Sequence, residues 1–176
     1  YNTGKITIYK FLDLYDLLRG NKNPLIPPRD MIFIGDGDYK KIGEEFFSYF
    51  KELGGLKPNH KVLDIGCGIG RMSVPLTKYL SQDGQYQGFD IVRNGVEWCT
   101  QNISARYPNF HYTHSNIYNK VYNPGGTEKS SEYKFNYNDG FFDFIFLTSV
   151  FTHMYSEDIN HYLSEISRVM KKGGKC

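Results

Sequence analysis

Apolar residues along the chain repeat at two spacings, and the change from one to the other marks out its elements. Ile8, Phe11, Leu12, Tyr15 and Leu18 recur at three and four residues, predicting a helix from Ile8 to Arg19 with Gly20 as its C-terminal cap. The Pro- and Gly-rich stretch from Asn21 to Asp38 reads as an extended arm. Asp38 then suits the N-cap of a second helix to about Leu53, with Ile42, Phe46, Tyr49, Phe50 and Leu53 along one side. Both helices are expected to pack on a sheet. The alternative for Phe33 to Tyr39 is a lid over a ligand.

From Lys61 the pattern alternates strand and helix. Val62 to Ile65 reads as a short buried strand, followed by a helix from about Arg71 to Leu80. Tyr86 to Asp90 is a second strand and Asn94 to Tyr107 a second helix. Phe110 to His114 alternates as a third strand, and Phe141 to Thr148 is an apolar run expected of a strand covered on both faces. A last helix begins near Ser156, with Ile159, Leu163, Ile166, Val169 and Met170 as its buried face. Glu157 and Asp158 at its start, and Arg168, Lys171 and Lys172 at its end, complement the helix dipole.

Alternation of this kind predicts an α/β fold, an open doubly wound, mostly parallel sheet with helices on both faces. Ligands of such sheets bind at the carboxyl ends of the strands, so the ends of the Val62, Tyr86 and Phe141 strands should surround one cleft. The interval from Asn119 to Gly140, rich in Tyr, Asn, Gly and Ser, has neither period and reads as a long surface loop where a helix is usual. On the cleft side, it is a candidate substrate-facing element.

The stretch Val62-Leu63-Asp64-Ile65-Gly66-Cys67-Gly68-Ile69-Gly70-Arg71 organises the remainder. Three glycines at alternate positions after a strand let a ligand approach the main chain. A dinucleotide loop spaces its glycines G-x-G-x-x-G; here the spacing is G-x-G-x-G, and Asp64 stands two residues ahead of the first. A carboxylate there repels a pyrophosphate and suits an ammonium group, which S-adenosylmethionine presents. Asp90 ends the second strand, where an acid accepts bonds from ribose hydroxyls, and a capping role ahead of Asn94 is its alternative.

Composition narrows the classes. With 176 residues, 40% apolar and 23% charged, the chain fits one soluble domain. A net charge of +2 with scattered Lys and Arg gives no nucleic-acid footprint, and no apolar run approaches the roughly 18 residues that span a bilayer. Cys67, Cys99 and Cys176 lack paired spacing, which suits a reducing, cytoplasmic setting and leaves the sequon at Asn102 idle. Cysteines and histidines lack metal-ligand spacing, so no metal is expected. The chain opens at Tyr1 and stops at Cys176 as a strand begins, and reads as part of a longer one. Residues 1–55 are expected to pack on or cap a core domain of residues 56–176.

Four segments in order carry a resemblance. Val62 to Arg71 resembles the first motif of class I S-adenosylmethionine-dependent methyltransferases, and Gly88-Phe89-Asp90 the acidic end of their second strand. Phe135 to His153 is similar to their fourth-strand region. Arg168 to Gly174 resembles the helix end and turn before their fifth strand, of which the chain holds at most the start. The resemblance implies S-adenosylmethionine as cofactor, and a small-molecule methyl acceptor is the expected partner. Asp64 and the backbone of Gly66, Cys67, Gly68, Gly70 and Arg71 would hold the amino-acid end, and Asp90 and Ile91 the ribose and adenine. Asn116, where the family often has Asp, would accept from the adenine amino group without charge, with Ile117 beside it. Thr148 and Ser149 would line the cofactor near its sulfur. Thr148-Ser149-Val150-Phe151 stands where many amino-methylating enzymes carry Asn/Asp-Pro-Pro-Tyr, which counts against nucleobase amines as acceptors.

His153, just beyond the fourth strand, is the candidate catalytic base, with ordering of the turn before Ser156 as its alternative. His111 and His114 are expected to be structural. Two other functions stay open: a non-catalytic domain that binds S-adenosylmethionine or S-adenosylhomocysteine within a larger protein, and a nicotinamide-dependent oxidoreductase. Oligomeric state is not legible.

Overall fold

A computed structural model describes residues 3–21, 23–33, 35 and 37–176. The chain runs through α1 (Thr3–Leu18), a short 3₁₀ turn (Arg29–Met31), α2 (Tyr39–Glu52), β1 (Lys61–Ile65), α3 (Ser73–Leu76) and β2 (Gln85–Asp90). It continues through α4 (Arg93–Cys99), β3 (Phe110–His114), β4 (Phe142–Leu147), α5 (Ser156–Val169) and β5 (Met170–Lys175). The five strands form one sheet in the order β3-β2-β1-β4-β5, every pair parallel. Reversal of strand order falls between β1 and β4, as the doubly wound expectation requires.

Alternation along β1 divides the core. Val62 joins the cluster under α2, α3 and α4, with Phe50, Leu76, Trp98 and Ile103, while Leu63 and Ile65 join Phe135, Tyr162 and Ile166 on the α5 side. Asp64 falls in register with Val62 and so enters the first layer. On the second face no helix follows β3. Phe135, 1% exposed, fills that space from the 119–140 segment, flanked by Tyr133 and Tyr137. Arg168 holds the segment in place: its guanidinium donates to the carbonyls of Phe135 and Tyr137 and to Glu165, whose other contact is the Phe135 amide. The loop is therefore anchored at its far end.

The N-terminal helices part company. α2 packs through Ile42, Phe46 and Phe50, the last against Phe144 and Phe146 of β4, and Asp38 caps the Lys41 amide, but Tyr49 and Leu53 of its expected face are exposed, Leu53 by 81%. α1 leaves Phe11 70% and Leu18 78% exposed, and its apolar stripe does not reach the sheet. It is tied to the arm through Arg29, which pairs with Asp13 and Asp16. Gly20 does end it, in a left-handed conformation.

Several elements differ from expectation. The helix after β1 shrinks to Ser73–Leu76, because the Ser73 and Thr77 hydroxyls turn back to the carbonyls of Gly70 and Val74 and compete with a longer helical ladder. After Cys99, the α4 helix widens into a π turn over Thr100–Ser104. Leu163 is 49% exposed, and the buried side of α5 instead carries Tyr162 and the Arg168-paired Glu165. Residues Met170 to Gly174, expected as a helix end and turn, are strand: extended Met170 ends α5, and an irregular pairing that spaces Phe142 and Phe144 against Met170 and Lys175 accommodates Gly173 and Gly174.

Candidate functional site

The glycine loop lies between β1 and α3, and four elements fix its path. Gly66 and Cys67 donate their amides to the Phe89 carbonyl at the end of β2, and the buried Tyr39 hydroxyl of α2 donates to the Ile69 carbonyl at 2.8 Å. Gly95 in α4 sits so close to the loop that a Cβ there would meet the Gly68 carbonyl at 2.7 Å. Gly66 itself has φ +77° and faces the Val150 side chain; a Cβ on it would lie 2.5 Å from Cγ2. Only glycine satisfies both demands.

Asp64 ends under this loop, 1% exposed. The Tyr86 hydroxyl donates to its Oδ2 at 2.6 Å. Gly88 makes room for that hydroxyl, since a Cβ there would approach it to 2.9 Å. The second oxygen, Oδ1, is buried and has no hydrogen-bond partner among the described residues, although the residue lines the cleft at the carboxyl ends of the strands. Burial pushes the Asp64 carboxyl up to about 7; the Tyr86 bond opposes that rise, and the negative Asp90 adds to it. A buried carboxylate oxygen with no donor is costly, and one facing a cleft points to a ligand that brings the donor.

Asp90 closes the other end of the loop. Its Oδ2 accepts from the Gly68 amide and its Oδ1 from the Val92 amide, both at 2.7 Å. Burial raises this carboxyl too, against those two backbone bonds, which stabilise its charge. The Val92 contact shapes the entry to α4, as the capping alternative supposes. Each oxygen still has a lone pair for a second donor, so the two roles are compatible.

Opposite the loop stand the residues after β4 and the start of the 119–140 segment. Ser149 has φ +61°, unusual for a residue with a side chain, and its carbonyl accepts from the Thr152 hydroxyl. The strain places Val150 against Gly66. His153 meets the Tyr122 ring edge to face, centroids 5.4 Å apart. Tyr122 is held by Asn119, whose side-chain oxygen accepts from the amides of Val121 and Tyr122, and by reciprocal backbone bonds between Asn119 and Asn123. The cleft so bounded has a volume of about 260 Å³.

A family model described as a methyltransferase domain matches residues 62–174, well over half of the chain. The chain belongs to the methyltransferase domain family. Among curated proteins, it is 28% identical over 65 residues to a probable cobalt-precorrin-6B C(15)-methyltransferase (decarboxylating) of Thermoplasma acidophilum, covering 36% of this chain and 32% of that one. It is 35% identical over 57 residues to a 2-phytyl-1,4-naphtoquinone methyltransferase of Trichormus variabilis, covering 32% and 25%. The matched stretches thus span about a quarter to a third of those relatives. Among solved structures, an S-adenosylmethionine-dependent methyltransferase from Aquifex aeolicus superposes with a TM-score of 0.53 at 22% identity, over 77% of this chain and 69% of that one.

Within this methyltransferase domain, the structure gathers most of the predicted residues around one cleft. Asp64, Gly66, Cys67, Gly68 and Arg71 line one wall and Asp90, Ile91 and Ile117 its end, while Thr148, Ser149 and His153 face them. Two stand outside. Gly70, at φ +80°, is turned into the core, where a Cβ would meet Cys99 Sγ at 2.9 Å, so its part is packing. Asn116 turns its side chain to the Thr127 hydroxyl, and its carbonyl accepts from the Thr127 and Glu128 amides, so it closes the turn of the 119–140 segment and leaves the cleft wall to Ile117. His111 and His114 also lie off the cleft wall; His114 contacts the Ile91 carbonyl.

The wall includes residues that sequence reading did not single out: Met72, Phe89, Tyr118, Met154 and Tyr162. Tyr122 carried one signal, its place in the aperiodic, aromatic-rich 119–140 insertion, and Tyr118 stands just ahead of it. Met154 and Tyr162 carried none, since their periodicity is that of ordinary core residues. Phe33 and Gly35 also line the cleft, which gives the arm a part in it; Ile34 and Asp36, within the stretch expected as a lid, lie outside the described residues.

Proposed function

We propose that this chain is the cofactor-binding part of an S-adenosylmethionine-dependent methyltransferase that acts on a small molecule. The observation that carries the reading is the pair of buried carboxylates at the two ends of one glycine loop. Asp64 Oδ1 is a buried acceptor still lacking its donor, and Asp90 keeps lone pairs free beyond its two backbone bonds. A ligand with an ammonium at one end and a ribose diol at the other satisfies both. A pyrophosphate set beside Asp64 does not, which disfavours a nicotinamide dinucleotide.

When bound, S-adenosylmethionine supplies a methyl group on a sulfonium, activated because a neutral thioether leaves. The residues of this chain bind and orient. Asp64 takes the ammonium, the Gly66–Gly68 backbone the amino-acid end, Asp90 the ribose, and the apolar side chains of Ile91 and Ile117 flank the base. Thr148 and Ser149 stand on the sulfur side. Orientation of two reactants alone supplies effective molarities of roughly 10⁵ to 10⁸ M, so a dedicated base is needed only for an acceptor that must lose a proton. His153, at the rim and in contact with Tyr122, is placed for that task with a hydroxyl acceptor.

The acceptor side is formed by Tyr118, Tyr122, His153 and Met154, aromatic and apolar surface suited to a small organic molecule. Residues 56–176 form the functional domain in this reading, and the arm of residues 1–55 adds Phe33 and Gly35 to its cleft. Cys67, Cys99 and Cys176 are free thiols, consistent with the cytoplasm. No helix among the described residues is long and apolar enough to cross a membrane.

Titration calorimetry with S-adenosylmethionine, S-adenosylhomocysteine and NAD tests the reading. Binding of the two adenosyl sulfur compounds at micromolar or tighter concentration is expected, with no heat from NAD. Heat from NAD alone sinks it.

A further inference from the structure

Asp64 has a feature that positioning an ammonium does not require. The carboxyl is 1% exposed, and among the described residues the groups that face it bring no positive charge of their own. From β2, the Tyr86 hydroxyl and the Asp90 carboxylate face it; from the loop, the Cys67 thiol; from α4, the Cys99 thiol; and Tyr112 of β3 packs on the Tyr86 ring, centroids 5.3 Å apart. Burial holds Cys67, Cys99, Tyr86 and Tyr112 well up in their neutral forms, so Asp90 is the charge that Asp64 feels, and it is a like charge. Arg71 lines the same cleft, but its guanidinium is coupled to Tyr39 on the α2 side. An acid in these surroundings keeps its proton to neutral pH, and an approaching cation reverses the preference.

We propose that Asp64 couples binding at the glycine loop to the release of one proton: the carboxyl is protonated in the free protein and ionised beside the ammonium of an adenosyl amino acid. The balance is simple. A carboxylic acid and an ammonium become a carboxylate–ammonium pair, and the proton goes to solvent; no bond other than O–H breaks. The inference rests on the cofactor reading above and adds to it a binding equilibrium that weakens in acid.

The direction follows from linkage. A group with its midpoint near 7 is about nine-tenths protonated at pH 6, so binding there releases close to one proton; by pH 8 the acid is ionised beforehand and the release vanishes. The α-ammonium of a free amino acid stays charged from pH 6 to pH 7.5, so Asp64 sets the change: apparent affinity for S-adenosylhomocysteine is about eightfold weaker at pH 6 than at pH 7.5.

The measurement is calorimetry of S-adenosylhomocysteine at pH 6 in two buffers of different ionisation enthalpy. The expected slope is roughly 0.9 proton released, from the tenfold ratio between the two protonation states at that pH. Methylthioadenosine, which keeps the adenosine and lacks the amino-acid end, should release none, and Asp64→Asn, which loses the charge that meets the ammonium, should bind S-adenosylhomocysteine more weakly and without release. Tyr86→Phe, which removes the donor favouring the charged carboxylate, should carry the release to higher pH. Carbon-13 NMR titration of the Asp64 carboxyl in the ligand-free protein gives a second readout, with a midpoint near 7. Wild-type binding with no buffer dependence, release that survives in Asp64→Asn, or a carboxyl midpoint near 4 each overturns the proposal while leaving the cofactor reading intact. Failure of S-adenosylhomocysteine to bind at all removes both.

Discussion

The two sides of the cleft are built on different principles. On the glycine-loop side nearly every contact is made by backbone or by a buried side chain: the Phe89 carbonyl, the Tyr39 hydroxyl, the Asp90 bonds to Gly68 and Val92. On the opposite side the surface is made by side chains such as Tyr118, Tyr122 and His153, largely exposed and carried by loop segments and one short 3₁₀ turn, Phe151–His153. What keeps the second side in place lies away from the cleft, in Phe135 packed under the sheet and Arg168 clasping its flanks. A geometry written in backbone tolerates little change, because each glycine and amide is held by several elements at once. A geometry written in surface side chains is adjustable, because its anchor and its working residues are separate. In the proposed function, the first side holds the cofactor and the second the acceptor.

Substitutions at the anchor test this separation most severely. Arg168→Ala leaves the buried Glu165 without its ion-pair partner and leaves three segment contacts unmade, to the Phe135 and Tyr137 carbonyls and the Asp139 carboxylate, so a stability loss of about 3 to 5 kcal/mol is expected. The measurement is denaturant unfolding, together with hydrogen exchange at the Phe135 amide, which should lose protection. Affinity for S-adenosylhomocysteine, measured where the variant is folded, should fall by less than threefold. A variant that loses cofactor binding outright would show that the two sides are not independent.

A smaller loss, about 2 to 4 kcal/mol, is expected from Gly66→Ala, since φ +77° is strained for alanine and its Cβ would strike Val150. Here stability and cofactor affinity should fall together, the affinity by at least tenfold. Unfolding midpoints and calorimetry on one sample decide it; a stable variant with normal affinity would mean that the loop tolerates a side chain.

The mildest change is His153→Ala. The ring is exposed and its described contact is the edge of Tyr122, so stability should move by less than about 0.5 kcal/mol and cofactor affinity should be nearly unchanged. Loss of cofactor binding in this variant would place His153 on the wrong side of the cleft.

α1 and α2 repeat the contrast in a simpler form. Their sequences offer the same apolar spacing, yet Phe50 of α2 sits against Phe144 and Phe146 while Phe11 and Leu18 of α1 face outward. Periodicity states that a helix has an apolar face; it cannot state what the face meets. The same limit explains Leu163, in phase with Ile166 along α5 but outside the contact. The 119–140 segment shows the reverse, since a stretch with no period still supplies one of the most buried side chains in the second layer, Phe135.

Much of the architecture was nonetheless determined by sequence alone. Strand positions β1 to β4, their parallel order and the cleft at their carboxyl ends follow from local rules: short apolar runs that make strands, alternation with helical periods, and glycines where the chain must turn. The S-adenosylmethionine cofactor of the family was legible in the same way, from the glycine spacing and the offsets of Asp64 and Asp90 from it. Tertiary structure decided what depends on partners distant in the chain. It took Asn116 and Gly70 out of the cleft, one into a turn with Thr127 and the other into the core beside Cys99. It brought Tyr118, Tyr122 and Met154 in, and it buried Asp64 among groups that push its carboxyl up. That last outcome has the plainest physical reason: a carboxyl's charge is settled by whatever desolvates it and by whatever donates to it, and Tyr86, Cys67 and Cys99 meet Asp64 only once the sheet and its helices have closed around it.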